Sequence, residues 1–392
     1  MNFPITLIQG PGSHSNLIRN FLDDHCDVFD SFTYWPKFGM ERKVHRHRVF
    51  SNNTRFDIAT YLLYGLNHRL AFAFAGQQFQ KGILFDYYDS ICASNLTEPR
   101  ALIGWAQTSL TTMRKNARMG GKSVLEHPMP HVDYWMDINT GFFNDRSIKV
   151  KPGYSRFSKG LVHKMRKEYE AADYVQVHST FARDSFVKAG VDSSKILVCP
   201  LGYAPPRPRE KRSRIENQRL KLLYVGRLEL SKGVHLLLSA VQRFPIDELE
   251  LTLVGRVMPE MQPFLRSLPE NIRVVGAKSS EELAEFYLSS DVFVFPSLCD
   301  AFGLVILEAM AHGLPVIGSH YSAAPDIVVP NQTGLLTYPE TDLAERIQWA
   351  LDNREKLASM AVAAQRKAIE EHGISHYFRD LEKNLQKAGF LS

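Results

Sequence analysis

No cysteine in this chain has a close partner in sequence. The four present, Cys26, Cys92, Cys199 and Cys299, stand far apart with no C-x-x-C pair. Metal ligation by cysteine and a disulfide framework are therefore not expected, and a reducing, cytoplasmic setting fits better. Long apolar runs are missing too. None approaches the roughly 18 residues of a membrane-spanning helix, and the opening "MNFPITLIQGPGSHS" lacks a basic stretch followed by an apolar one, so no secretory leader is expected. Without a secretory route, the Asn-x-Thr triplets at Asn52, Asn95 and Asn331 carry no weight as glycan acceptors. Internal repeats and low-complexity segments are absent as well.

What remains is ordinary globular composition, 44% apolar and 23% charged, over 392 residues. That length predicts two domains. The net charge of +5 is unevenly placed: residues 1–202 carry 25 Lys and Arg against 18 Asp and Glu, and residues 203–392 carry 22 against 24. A basic first half suits an anionic acceptor, peripheral contact with the inner face of a membrane, or simply a solvated face. Nucleic acid is not expected as a partner.

The second half is written in short, β-branched, wholly apolar runs: "LKLLYVG", "LELTLVG", "IRVVG", "DVFVFPS" and "LPVIGS". Strands buried on both faces of a parallel sheet have this texture. Helix-period segments such as "GVHLLLSAVQRF" and "SEELAEFYLSS" lie between them, so the pattern predicts a doubly wound α/β domain. The first half repeats it less cleanly, with "ITLIQG", "LAFAFAG", "GILFDYY", "ALIGWAQ", "SVLE", "DYVQVHS" and "KILVCP" all expected as strands. The basic, proline-bearing "APPRPREKRSRIENQR" divides the halves. We expect domains at 1–203 and 204–372, and a helical tail at 373–392 packed back on the first.

In "LYVGRLELSKGVHLLL" a strand ends at Gly226, Arg227 and Lys232 follow on the turn, and a helix begins near Gly233. Free N–H groups and the positive dipole end of that helix, with a guanidinium fork and an ammonium beside them, make a diphosphate clamp. "SLCDAFGLVILEAMAHGLPVIGS" brings a second helix start after Phe302 and Gly303, with Asp300 before it and Glu308 within its first two turns. A carboxylate suits neutral vicinal hydroxyls, such as those of a ribose, better than it suits a phosphate.

The succession "VGRLELSKG", "LVGR", "DVFVFPSLCDAFGLVILEAMAHGLPVIGS" and "NQTGLL", preceded by "EYEAADYVQVHSTFARDSF" and "KILVCPLGY", closely resembles the GT-B retaining glycosyltransferases of the family-four type, the glycosyl transferases group 1. The likeness is good over residues 160–350 and holds in outline before them. It implies a GT-B fold of two doubly wound Rossmann-like domains facing across a cleft. It further implies transfer of a hexose-type sugar from a nucleotide-sugar donor, of the UDP, GDP or ADP type, to a hydroxyl of a glycan, lipid-linked or small-molecule acceptor, as in polysaccharide biosynthesis. The anomeric configuration would be kept, and no metal or other cofactor would be needed. The lack of a D-x-D triplet agrees with this.

By that resemblance Arg227 and Lys232 would hold the diphosphate and stabilise the departing charge. Gly226 and the amides around Phe302, Gly303 and Leu304 would touch phosphate or donor sugar, Glu308 the ribose, and Gly276 the base. Gly10 and Gly12 in "QGPGSHS" would approach the phosphates. Asp300 stands where the family has glutamate, shorter by one bond of about 1.5 Å, which leaves the sugar's identity open.

In "GGKSVLEHPMPHVDYW", His131 matches the family histidine that positions donor sugar or acceptor, and His127 is the second candidate on the acceptor side. Tyr87, Tyr88, Trp105, Tyr134 and Trp135 are aromatics able to stack on a glycan, with core packing as the plainer alternative. Three other readings are weighed: a catalytically silent sugar-nucleotide binder, a sugar-nucleotide epimerase or hydrolase on the same fold, and a nicotinamide oxidoreductase using the Gly10–Ser15 fingerprint. The last leaves the Arg227 and Lys232 clamp unexplained. "NARMGGKS" precedes a strand instead of following one and is no P-loop, and "VHRHRV" shows no third metal ligand.

Overall fold

The computed structural model describes residues 5–8, 31–33, 48–49, 77–145, 157–203 and 219–391. The Gly10 and Gly12 loop, the "LAFAFAG" run and the divider at 204–218 lie outside the described residues.

The first sheet is built from β1 (Ile5–Ile8), β2 (Ser31–Thr33), β3 (Arg48–Val49), β4 (Ala101–Trp105), β5 (Lys122–Glu126), β6 (Tyr174–Val177) and β7 (Ile196–Val198), in the order β3-β2-β1-β4-β5-β6-β7. Its helices are α1 (Gln77–Asn95), α2 (Leu110–Arg118), α3 (Val132–Asp145), α4 (Lys159–Ala171) and α5 (Thr180–Lys188). The second sheet holds β8 (Leu220–Val225), β9 (Leu249–Val254), β10 (Ile272–Gly276), β11 (Val292–Phe295), β12 (Val316–Ser319) and β13 (Gly334–Thr337), ordered β10-β9-β8-β11-β12-β13. Around it run α6 (Val234–Val241), α7 (Gln262–Leu265), α8 (Ser280–Ser289), α9 (Leu304–Ala311), α10 (Ala324–Ile327), α11 (Leu343–Asp352), α12 (Arg354–Glu371) and α13 (Ile374–Lys387). Every pairing between these strands is parallel.

Both sheets start centrally, wind outward one way and then reverse. The reversal leaves a crevice between β1 and β4, and another between β8 and β11, at the carboxyl ends of the strands.

Local chemistry sets the helix starts. Ser158 and Ser179 accept from Leu161 N and Ala182 N at α4 and α5, and Ser279 with Glu282 closes a capping box on α8. One expected strand is a helix: "GILFDYY" lies inside α1. Its buried residues Phe85, Tyr88, Asp89, Cys92 and Ala93 recur every three or four positions, so one helical stripe faces the core, a period hidden within a short apolar run. The strand β13 was not expected, because only "GLLT" marks it.

One apolar cluster joins the two sheets: Ala101, Ile103, Trp105 and Leu197 from the first, Leu223, Val225, Phe293 and Phe295 from the second, and Tyr377, Leu381 and Leu385 of α13. Asn384 of α13 donates to Gln176 Oε1 at 3.2 Å and to the Val198 carbonyl at 3.1 Å, tying the last helix to β6 and β7. Among the described residues no helix is long and apolar enough to cross a membrane.

Candidate active site

The site is assembled where the second sheet reverses. The strands β8, β9 and β10 end side by side on Gly226, Gly255 and Gly276, each at positive φ. At Gly255 the need is steric: a Cβ would come within 1.7 Å of the Gly226 carbonyl oxygen. Around Gly276 a Cβ would meet nothing within 4 Å, so backbone there faces open space.

Past Gly226 the chain makes a 3-10 turn at Leu230–Lys232 and enters α6 through Gly233, whose φ is +67°. The buried Tyr224 hydroxyl donates to the Arg227 carbonyl at 2.7 Å and fixes the start of the turn. Glu229 organises the rest: its Oε1 accepts from Arg227 Nη2 at 3.1 Å and from Ser231 Oγ at 2.9 Å. The Ser231 carbonyl in turn accepts from Leu298 N at 2.9 Å, which binds this turn to the loop after β11.

On that loop Asp300 sits between three partners. Its Oδ1 accepts from Phe302 N at 3.1 Å, its own N–H donates to the Tyr321 carbonyl at 3.0 Å, and its Oδ2 forms an ion pair with Lys232 Nζ. The structure thus brings Lys232 and Asp300 into direct contact. Gly303, at φ +83°, then opens α9, and a Cβ there would press on the Phe295 ring at 2.8 Å. Phe302 is buried and Leu304 half-buried, while Glu308, on the second turn of α9, accepts from the Tyr287 hydroxyl at 3.0 Å. Burial pushes the Glu308 carboxyl up, and the Tyr287 hydrogen bond pulls against it. His312 stacks on Tyr287 at 5.0 Å and completes the wall behind Glu308.

The two histidines part company. Both nitrogens of buried His127 are taken, Nδ1 against the Met129 carbonyl at 2.6 Å and Nε2 against the Tyr169 hydroxyl at 2.9 Å, so none is left for a substrate. His131 instead leads into α3, which touches the Leu230–Lys232 turn. Its N–H donates to Ser185 Oγ at 2.8 Å, and its Nδ1 accepts from Asp133 N at 3.2 Å. A ring accepting at Nδ1 carries its proton on Nε2, so it is neutral and able to donate. Burial lowers its pKa, with Asp133 opposing. Of the aromatics named from the sequence, Tyr88 and Trp105 are core, Tyr87 is exposed, Trp135 packs at a tilt on Phe157 with centroids 4.6 Å apart, and Tyr134 is carried by α3, the helix that touches the Leu230–Lys232 turn.

Sequence reasoning did not anticipate Tyr224, Glu229, Ser231 or Tyr287. Glu229 alone had a local signal, as the acid between Arg227 and Lys232.

Two parallel sheets, each reversing its winding once and both flanked by helices, define an α/β protein of the GT-B kind. Solved structures agree on the fold. Chains covering 98% of this one include the lipopolysaccharide outer core galactosyltransferase WaaB (TM-score 0.65, 16% identity, 99% of that chain). HepE of Anabaena in complex with UDP matches with TM-score 0.62 and 16% identity over 98% of this chain and 99% of its own. Residues 207–367, within the second half of the chain, match the model of the glycosyl transferases group 1.

Relatives include the sulfoquinovosyl transferase SQD2 of Arabidopsis thaliana, 29% identical over 50% of this chain and 41% of that protein. Another is the MMP alpha-(1->4)-mannosyltransferase of Mycolicibacterium hassiacum, 27% identical over 58% of each. The O-antigen chain mannosyltransferase B of Escherichia coli is 30% identical over 50% of this chain and 56% of its own length. The chain thus spans about half the length of the curated relatives it matches.

Proposed function

We propose that this chain is a retaining glycosyltransferase that moves a hexose-type sugar from a nucleotide-sugar donor to a hydroxyl acceptor without a metal ion. The observation that carries this reading is the convergence of Arg227, Lys232 and two helix starts at the crevice between β8 and β11, with Asp300 and Glu308 beside them. Relatives named for mannosyl and sulfoquinovosyl transfer, and a fold neighbour crystallised with UDP, are in keeping with it.

The Lys232–Asp300 pair gives donor binding a built-in coupling. Without ligand each neutralises the other. An incoming diphosphate draws the Lys232 ammonium to itself, and the released Asp300 carboxylate becomes an acceptor for hydroxyls of the transferred sugar. Glu308 and Tyr287 receive the ribose, and the bare backbone at Gly276 lets the base lie close. In the transfer, the acceptor oxygen bonds the anomeric carbon while the bond from that carbon to the phosphate oxygen breaks. The electron pair leaves with the diphosphate, whose oxygen takes the hydroxyl proton. Arg227 and Lys232 stabilise that departing charge in place of a divalent ion, and the Nε2–H of His131 holds a sugar hydroxyl.

The test is thermal shift against UDP, GDP, ADP and their sugars, followed by turnover with the sugar that binds. One base is expected to raise Tm most, Lys232→Ala and Glu308→Ala to remove the shift without unfolding the protein, and EDTA to leave turnover intact. Wild-type turnover in a folded Lys232→Ala enzyme would refute the clamp, and loss of turnover in EDTA would refute the metal-free step.

A further inference from the structure

Five rings beside Asp300 have no part in holding the donor. Tyr134 of α3 and Phe181 of α5 stand 5.5 Å apart between centroids. Phe181 reaches across to Tyr321 at 6.4 Å, Tyr321 to Tyr338 at 5.8 Å, and Tyr338 stacks on His320 at 4.2 Å. The row crosses from the helices of the first sheet to the loops of the second. It passes beside the candidate site, since the Asp300 N–H donates to the Tyr321 carbonyl and α3 touches the Lys232 turn.

Core packing does not account for this row. Neither the three buried clusters nor the partly buried side chains packed on them include Tyr134, Phe181, Tyr321 or Tyr338. Tyr338 is 46% exposed, and the other four rings are half-buried. Aromatic surface held at the edge of water, linked edge to face at interplanar angles of 82°, 63° and 67° and next to a site, calls for a ligand with flat apolar faces. The border of the row is polar. Lys188 Nζ lies 5.9 Å over the Tyr134 ring, and burial, with a smaller push from the charge of Glu340, raises the pKa of the Tyr134 and Tyr321 hydroxyls. A hydrocarbon chain has no use for that border. A sugar ring does, because it offers C–H groups on its faces and hydroxyls around its rim.

Resting on the donor reading above, we propose that this row is the acceptor platform and that the acceptor is a saccharide of several pyranose rings. Its rings stack on Phe181, Tyr321 and Tyr338, Tyr134 borders the reacting end, and its terminal hydroxyl is delivered to Asp300 and Lys232. Three successive steps of 5.5–6.4 Å link four rings, more aromatic surface than a single sugar ring covers.

The experiment is saturation-transfer NMR on the full chain with maltotetraose, cellotetraose, chitotetraose and α-1,6-mannotetraose, each beside its monosaccharide. Sedimentation with phosphatidylglycerol vesicles and thermal shift with nucleotide sugars run in parallel. At least one tetrasaccharide is expected to bind about tenfold more tightly than its monosaccharide. Tyr321→Ala and Tyr338→Ala are each expected to weaken it about fivefold, in line with the loss of one ring contact, and Tyr338→Phe to restore it. Because Tyr338 is exposed, its substitution tests the row without threatening the fold.

If no tetrasaccharide binds, or if binding ignores both alanine substitutions, the platform is overturned while nucleotide binding leaves the donor reading standing. Capture by vesicles that the same substitutions abolish, without saccharide binding, overturns it in favour of a lipid surface. Saccharide binding to a wild-type chain that binds no nucleotide would overturn the acceptor assignment together with the donor reading.

Discussion

His127 and His131 sit four residues apart, and their rings rest on the same two neighbours, Tyr169 and Phe186, at 4.9–5.2 Å. From sequence His131 is the first candidate and His127 the second. The difference lies in what their nitrogens meet, which only packing decides. Burial drives the His127 pKa down to about 3, so the folded protein keeps it neutral. The unfolded chain protonates it near its ordinary value of about 6.5. Stability is therefore lost as pH falls through the window from about 6.5 towards about 3, by on the order of 1.4 kcal/mol per pH unit for this one group. Urea unfolding at pH 7, 6 and 5 is expected to show a shallower decline in His127→Gln than in wild type. Parallel declines would remove His127 as the source.

At the scale of elements, the glycine-ended strands and the cations after β8 were legible in the sequence because strand ends and turns are local. The α1 region was not, since a stretch as short as "GILFDYY" satisfies both periods. Also hidden was how α5 holds the site. Its N-cap Ser179 donates to the Ala301 carbonyl, next to Asp300, while Thr180 presents its amide to Asp326 Oδ2 at 2.7 Å and its hydroxyl to Oδ1. Elements of both sheets thus meet on the loop that carries Asp300. Asp326→Ala leaves the half-buried Thr180 amide without its acceptor, a loss of about 1–3 kcal/mol. A Tm lowered by several degrees, a smaller drop in Asp326→Asn and weaker donor binding are the expected readings. Unchanged Tm in Asp326→Ala would show that water replaces the carboxylate at no penalty.

At the scale of the molecule, the cluster running from Ile103 and Trp105 through Leu223 and Phe295 to Tyr377, Leu381 and Leu385 makes α13 part of the shared core. Ending the chain after Glu371 would bare that apolar surface, at about 25 cal/mol for each Å² returned to water. The truncated chain is expected to be recovered as aggregate. A soluble truncated chain that melts at the wild-type temperature would deny α13 this role.

The sequence by itself determined the winding of the second sheet, the glycines at its strand ends and the pairing of Arg227 and Lys232 with a helix start. These depend on apolar runs and turn chemistry within a few residues of each other. Tertiary structure alone decided that Lys232 neutralises Asp300, that Tyr287 backs Glu308, that both ring nitrogens of His127 are taken, and that Tyr134, Phe181, Tyr321 and Tyr338 form one row. Each of these joins residues far apart in the chain, and contact between such residues follows from how the sheets and helices close on one another.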